Sequence, residues 1–139
     1  MATVLVVDDE FGIAQLFEAV LADEGYRVLT AINGRHGLEV LAKERPDLIF
    51  LDFMMPVMDG AGMLRGMEAD AMLNGIPVVM MSSMPEAAVS ERCSGYASFI
   101  RKPFRIDQVV AVTKRLLHQG RNPTKAAAPS DSKETVGRS

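Results

Sequence analysis

Tryptophan is absent from this sequence, cysteine occurs once, and aromatic residues make up only 6%. A lone thiol, Cys93, excludes an internal disulfide framework, and neither His36 nor His118 pairs with it at metal-site spacing. That usage fits a reducing compartment, so a cytoplasmic protein is expected. A basic excess is also missing: 15 Lys and Arg stand against 18 Asp and Glu, for a net charge of −3. This removes the electrostatic footprint of direct nucleic-acid binding, and any role at DNA has to pass through a partner. Long hydrophobic runs are lacking too. The most apolar stretch, Leu48 to Met58, is broken by Asp52 and Pro56, and no basic amphipathic helix points to a membrane surface. The opening Met-Ala-Thr-Val runs straight into a strand-like segment, without the charged region, apolar core and cleavage site of a secretory leader.

What is present is ordinary globular composition, 48% hydrophobic over 139 residues, enough for one domain with a single core. Short β-rich runs alternate with amphipathic ones. Thr3–Val7 is continuously apolar, as a strand buried on both faces must be. A first helix is expected over Phe11–Ala22, stopped by Gly25, and a strand over Tyr26–Ile32. Asn33-Gly34 then turns into a second helix ending near Glu44, with Pro46 beyond it. Asp47–Leu51, Ile76–Met81 and Ala97–Ile100 read as further strands. Asp59-Gly60 opens a third helix, Glu86–Ser94 forms a short fourth, and Ile106–His118 a fifth. Strict alternation of five such units calls for a five-stranded parallel sheet with helices on both faces. After His118 the composition changes. Residues 119–139 are rich in Ala, Pro, Ser, Thr, Lys and Gly, with Val136 the only bulky apolar residue. A disordered tail or linker is expected there, following a domain over 1–118.

Ligands of open parallel sheets bind beyond the carboxyl ends of the strands. The polar residues at those ends are Asp8, Asp9 and Glu10 after the first strand and Asp52 at the third. Ser82 and Ser83 follow the fourth, and Lys102 and Pro103 the fifth. Singly, each has a bland reading: helix capping for the Asp pair, a turn for the serines, a solvated charge for the lysine. A carboxylate closing the apolar strand before Asp52 is harder to dismiss, because half-burying it without a partner is costly. Together they suit phosphoryl transfer. Clustered carboxylates welcome a hard dication such as Mg²⁺, a carboxylate attacks phosphorus to give an acyl phosphate, and an ammonium and a hydroxyl stabilise the phosphoryl oxygens.

Four segments, VVDDE at 6–10, LDFMMPVMDG at 51–60, MSS at 81–83 and KPF at 102–104, resemble the motifs of response-regulator receiver domains of two-component signalling, of the chemotaxis-regulator kind. The resemblance covers residues 3–118 and implies a (βα)5 flavodoxin-like receiver fold. It implies Asp52 as phosphoacceptor and Asp8 and Asp9 as the acidic pair positioning Mg²⁺, with the Met54 backbone carbonyl as a further metal ligand. Ser82 would be the switch hydroxyl, Lys102 the ion-pair partner, Phe99 the switch aromatic, and Pro56 and Gly60 would shape the loop after Asp52. A histidine kinase or histidine phosphotransfer protein would donate the phosphoryl group. A downstream effector protein would read the face of the fourth helix, fifth strand and fifth helix, with the chain a monomer or a phosphorylation-dependent dimer.

Such a chain is a switch that catalyses its own phosphorylation and slow dephosphorylation, not an enzyme for outside substrates. A haloacid-dehalogenase-like phosphatase needs a second Asp where Met54 stands. A phosphorylation-independent docking module on the same fold is the remaining alternative. Two departures from the family pattern stand out. Met54 and Met84 occupy positions that are often polar, which predicts a long-lived aspartyl phosphate through poor orientation of the hydrolytic water. The interval from Ser82 to Phe99 is about two residues short, and Ser90, Cys93 and Ser94 weaken the fourth helix. Phe99 also lacks a tyrosine hydroxyl, so its buried and exposed states differ by packing alone.

Overall fold

A computed structural model describes residues 1–121, and the tail expected beyond them lies outside the described residues. Five strands, β1 (Thr3–Val7), β2 (Arg27–Ala31), β3 (Leu48–Asp52), β4 (Val78–Ser82) and β5 (Ser98–Arg101), alternate with five helices. The helices are α1 (Phe11–Asp23), α2 (Gly34–Leu41), α3 (Gly60–Glu68), α4 (Glu86–Ser90) and α5 (Ile106–Arg121). All strand pairs are parallel, in the order β2-β1-β3-β4-β5.

The sheet is buried on both faces, which explains why β1, β3 and β4 lack polar alternation. Successive residues feed opposite cores. Leu5 and Val7 join Ile49, Leu51, Met63, Met67 and Met80 on one side, while Val4 and Val6 join Phe17, Leu21, Phe50, Val109 and Leu116 on the other. Asn33 caps α2 by accepting from the His36 amide at 2.8 Å, and Asp59 caps α3 through the Gly62 amide at 2.8 Å. The expected surface histidine, His36, is half-buried and uses Nδ1 to accept from the Ile32 amide.

Differences from expectation lie at the ends of elements. The last helix runs to Arg121, past His118. The second stops at Leu41, short of Glu44, with Ala42 as its cap. The fourth is shorter still than expected, Glu86–Ser90 rather than Glu86–Ser94. Pro85 offers no side-chain cap, the Ser90 hydroxyl bonds back to the Ala87 carbonyl, and Gly95 takes a left-handed φ of 96° that ends any helical continuation. Phe11 leads the apolar stripe of α1 yet is solvent-exposed. The Lys102–Pro103 peptide is cis.

Candidate functional site

Register alone assembles the site. Val7 pairs with Leu51, so Asp8 leaves β1 abreast of Asp52. Asp52 pairs with Met81, so Ser82 lies one step further along β4, and Ser82 pairs with Arg101, so Lys102 follows on β5. Asp52 and Ser82 are the last residues of their strands rather than the first of the loops. The ladder continues past them: the Phe53 amide donates to the Met81 carbonyl at 2.8 Å, and the Lys102 amide to the Ser82 carbonyl at 2.8 Å.

Carboxylate oxygens of Asp8, Asp9 and Asp52 lie within 4.8 Å of one another, Asp8 and Asp52 buried and Asp9 exposed. The Lys102 ammonium bridges Asp8 and Asp52, 3.0 Å from Asp8 Oδ2 and 3.3 Å from Asp52 Oδ1. Glu10 adds a fourth carboxylate, with Oε1 3.5 Å from the same nitrogen. The capping reading of the acidic pair does not hold, because the N-cap of α1 is Glu10 and makes no side-chain cap bond. Asp8 Oδ1 instead accepts from the Glu10 amide at 2.9 Å.

Burial and the neighbouring Asp8 charge push the Asp52 carboxyl up from 3.8 to about 6, against the pull of Lys102. Burial likewise raises Asp8, despite its hydrogen bonds from Glu10 and Lys102. Burial pulls Lys102 down, but Asp52 and Asp8 outweigh it and keep the ammonium above its ordinary value. One cation is therefore too little for the buried negative charge. A site of hard oxygen donors short of positive charge is what a small dication fits.

Ser82 is buried, and its Oγ accepts from the Met84 amide at 3.0 Å, which leaves the hydroxyl proton free to donate elsewhere. Met54 is exposed beside Asp52, whereas Met84 is half-buried and packs against the core. Gly60 closes the loop after Asp52: its amide donates to the Phe53 carbonyl at 2.9 Å, and a Cβ there would lie 2.6 Å from the Asp52 carbonyl oxygen. Within that loop Val57 has a φ of 71°. Phe99 is half-buried on β5, against the core containing Met80.

Sequence reasoning gave no role to Glu10, Tyr96 or Arg101. The Tyr96 ring lies 6.3 Å from that of Phe99, and its hydroxyl donates to Glu86 of α4 at 3.1 Å. Arg101 Nε donates to the Ser83 carbonyl at 3.2 Å. Each contact joins residues separated along the chain and brought together by the fold, which no local pattern encodes. Glu10 was legible only as an acid following a strand. Exposed apolar side chains, Phe11, Ile32, Met54, Val57 and Ile106, follow shortly after the carboxyl ends of four different strands.

A parallel sheet of this order with an acidic cluster and a lysine at its carboxyl edge is the arrangement of a receiver domain. Residues 4–114 match the response regulator receiver domain family, and the chain belongs to that family. It is 35% identical over 116 residues to the sporulation initiation phosphotransferase F of Bacillus subtilis, covering 82% of this chain and 92% of that protein. It is 33% identical over 137 residues to the transcriptional regulatory protein PrrA of Mycobacterium tuberculosis, covering 96% of this chain but 55% of that one. The chain thus spans about half the length of many relatives, including 50% of the probable transcriptional regulator ycf27 of Cyanophora paradoxa. Among solved structures, the receiver domain of a signal transduction histidine kinase from Syntrophus aciditrophicus superposes with a TM-score of 0.81 at 31% identity. That match covers 96% of this chain and 99% of the other. A chemotaxis response regulator of Vibrio cholerae gives 0.77 at 32% identity, over 84% and 98%. No described helix is long and apolar enough to cross a membrane.

Proposed function

We infer that the chain is a phosphorylation switch in which Asp52 accepts a phosphoryl group from a histidine kinase or histidine phosphotransfer protein. The observation that carries this reading is the convergence of three carboxylates within 4.8 Å, with Lys102 3.3 Å from Asp52. Asp8, Asp9, Asp52 and the Met54 carbonyl are the groups that would hold Mg²⁺, which when bound supplies positive charge to the phosphoryl oxygens.

Asp52 attacks phosphorus, a P–O bond to its carboxylate forms, and the donor's bond to phosphorus breaks as the donor leaves. Lys102, anchored by Asp8, pairs with the new phosphoryl oxygens. The Ser82 proton is available to them as well. Moving Ser82 fully onto the phosphoryl group means releasing the Met84 amide, a bond worth about 0.5–1.5 kcal/mol, against about 1.5–3 for a bond to a charged acceptor. The exchange favours the phosphorylated arrangement and draws the β4–α4 loop inward. Phe99 then repacks, and an effector reads the α4, β5 and α5 face. Met54 and Met84 present no polar group to orient a hydrolytic water, so the acyl phosphate is long-lived.

The exposed apolar side chains that follow the strand ends support a protein donor over a free small molecule, since a docked protein can desolvate them. The test is intact mass after incubation with a small phosphodonor, with and without Mg²⁺, for the native chain and Asp52→Asn. A Mg²⁺-dependent gain of one phosphoryl group that the variant lacks is expected. A gain that persists in the variant overturns the assignment of Asp52.

A further inference from the structure

We propose that Glu10 is a specificity-determining residue of this site: an anionic gate that disfavours small, free phosphodonors and leaves phosphorylation to a docked protein. The proposal rests on the phosphoacceptor reading above. Glu10 stands at the N-cap of α1 and makes no side-chain bond to the helix amides. It turns instead toward Lys102, 3.5 Å away, while 65% of its side chain stays exposed. It therefore sits at the rim, between solvent and the reacting carboxylate.

The charge balance sets its effect. Asp8, Asp9, Asp52 and Glu10, all ionised, carry four negative charges against one on Lys102. A bound dication brings the sum to one negative charge, and the surplus is Glu10. Without it the mouth is neutral. A doubly anionic donor approaching through solvent meets that surplus charge directly. A donor protein docked through the exposed apolar side chains after the strand ends has its encounter set by contact area instead. Glu10 also competes with the incoming phosphoryl oxygens for the Lys102 ammonium.

Glu10→Gln and Glu10→Asp are compared with the native chain at saturating Mg²⁺, using acetyl phosphate (doubly anionic) and phosphoramidate (singly anionic). The extent of reaction is followed by intact mass. At low ionic strength Glu10→Gln is expected to speed acetyl phosphate by roughly three- to tenfold and phosphoramidate by clearly less. Both gains should shrink at high salt. Glu10→Asp keeps the charge and should stay near native. The Mg²⁺-induced shift in melting temperature provides a second readout. Glu10→Gln should need about two- to threefold more Mg²⁺ for half its shift, because a negative neighbour of the dication is gone. A slower phosphorylation paired with weaker Mg²⁺ binding indicates structural damage and overturns the gate, and so does an equal, salt-independent gain with both donors. Absence of any Asp52-dependent mass gain in the native chain sinks the phosphoacceptor reading itself, a different outcome from either.

Discussion

Replacing Asp52 by Asn should stabilise the metal-free protein near neutral pH. The folded environment raises the Asp52 carboxyl from 3.8 to about 6 because it is buried beside Asp8. Its ionised form is therefore worse off folded than unfolded, and the gap of about two pH units amounts to roughly 3 kcal/mol. The carboxylate reaches solvent at the site mouth, and in the Asn variant Lys102 loses one of its partners, so the expected net gain is about 1–2 kcal/mol. The sign over pH follows from the raised value. Folding binds a proton between about pH 4 and 6, so native stability falls as pH rises through that window and is flat above it. At about pH 4 the native carboxyl is largely protonated when folded and nearly isosteric with Asn, and the two proteins should then unfold at similar denaturant concentrations. Saturating Mg²⁺ should reverse the order, since a ligand at a hundred times its dissociation constant adds about 2.7 kcal/mol to the form that binds it. The assay is urea unfolding of both proteins in chelator at about pH 4 and about pH 7.5, then at the higher pH with Mg²⁺. A variant less stable than native in chelator at the higher pH refutes the claim that Asp52 is held at an energetic cost.

Val57 holds a φ of 71°, which a β-branched residue adopts only under strain. Val57→Gly relieves about 1–3 kcal/mol of strain against about 0.5–1 of added unfolded-state entropy, so a rise of a few degrees in Tm is expected by calorimetry. Gly60→Ala places a methyl 2.6 Å from the Asp52 carbonyl oxygen and should cost about 2–4 kcal/mol by denaturant titration. Restoring polarity at the two methionines, Met54→Asn with Met84→Glu, should speed loss of the aspartyl phosphate about tenfold, a modest share of what positioned polar groups can supply. Equal decay by mass spectrometry would remove the methionines from the account.

The sheet was legible because burial on two faces writes itself as unbroken apolar runs such as Thr3–Val7, and the acidic and basic residues stand where those runs stop. Helix ends were less legible. The extension of α5 to Arg121 passes through Gln119 and Gly120, where composition signals a break. The early end of α4 at Ser90 was not legible, and the left-handed Gly95 beyond it lies where a side chain would meet Glu68 of α3, a proximity invisible in one dimension. The acids of the site could be chosen by position along the chain. That Glu10 leans toward Lys102 instead of capping its own helix could not, because both uses require the same residue at the same place.

Adjacent parallel strands sit about 4.8 Å apart, so a polar group on each strand end is delivered at nearly fixed intervals across the edge. Asp8, Asp52, Ser82 and Lys102 are spaced by this lattice and not by the helices, and the hydrogen bonds from Phe53 to Met81 and from Lys102 to Ser82 extend it to the reacting groups themselves. Ruler and variable part are thus separate: the sheet fixes the spacing of these groups, while α4, reduced here to Glu86–Ser90, contributes none of them and can change length without moving them.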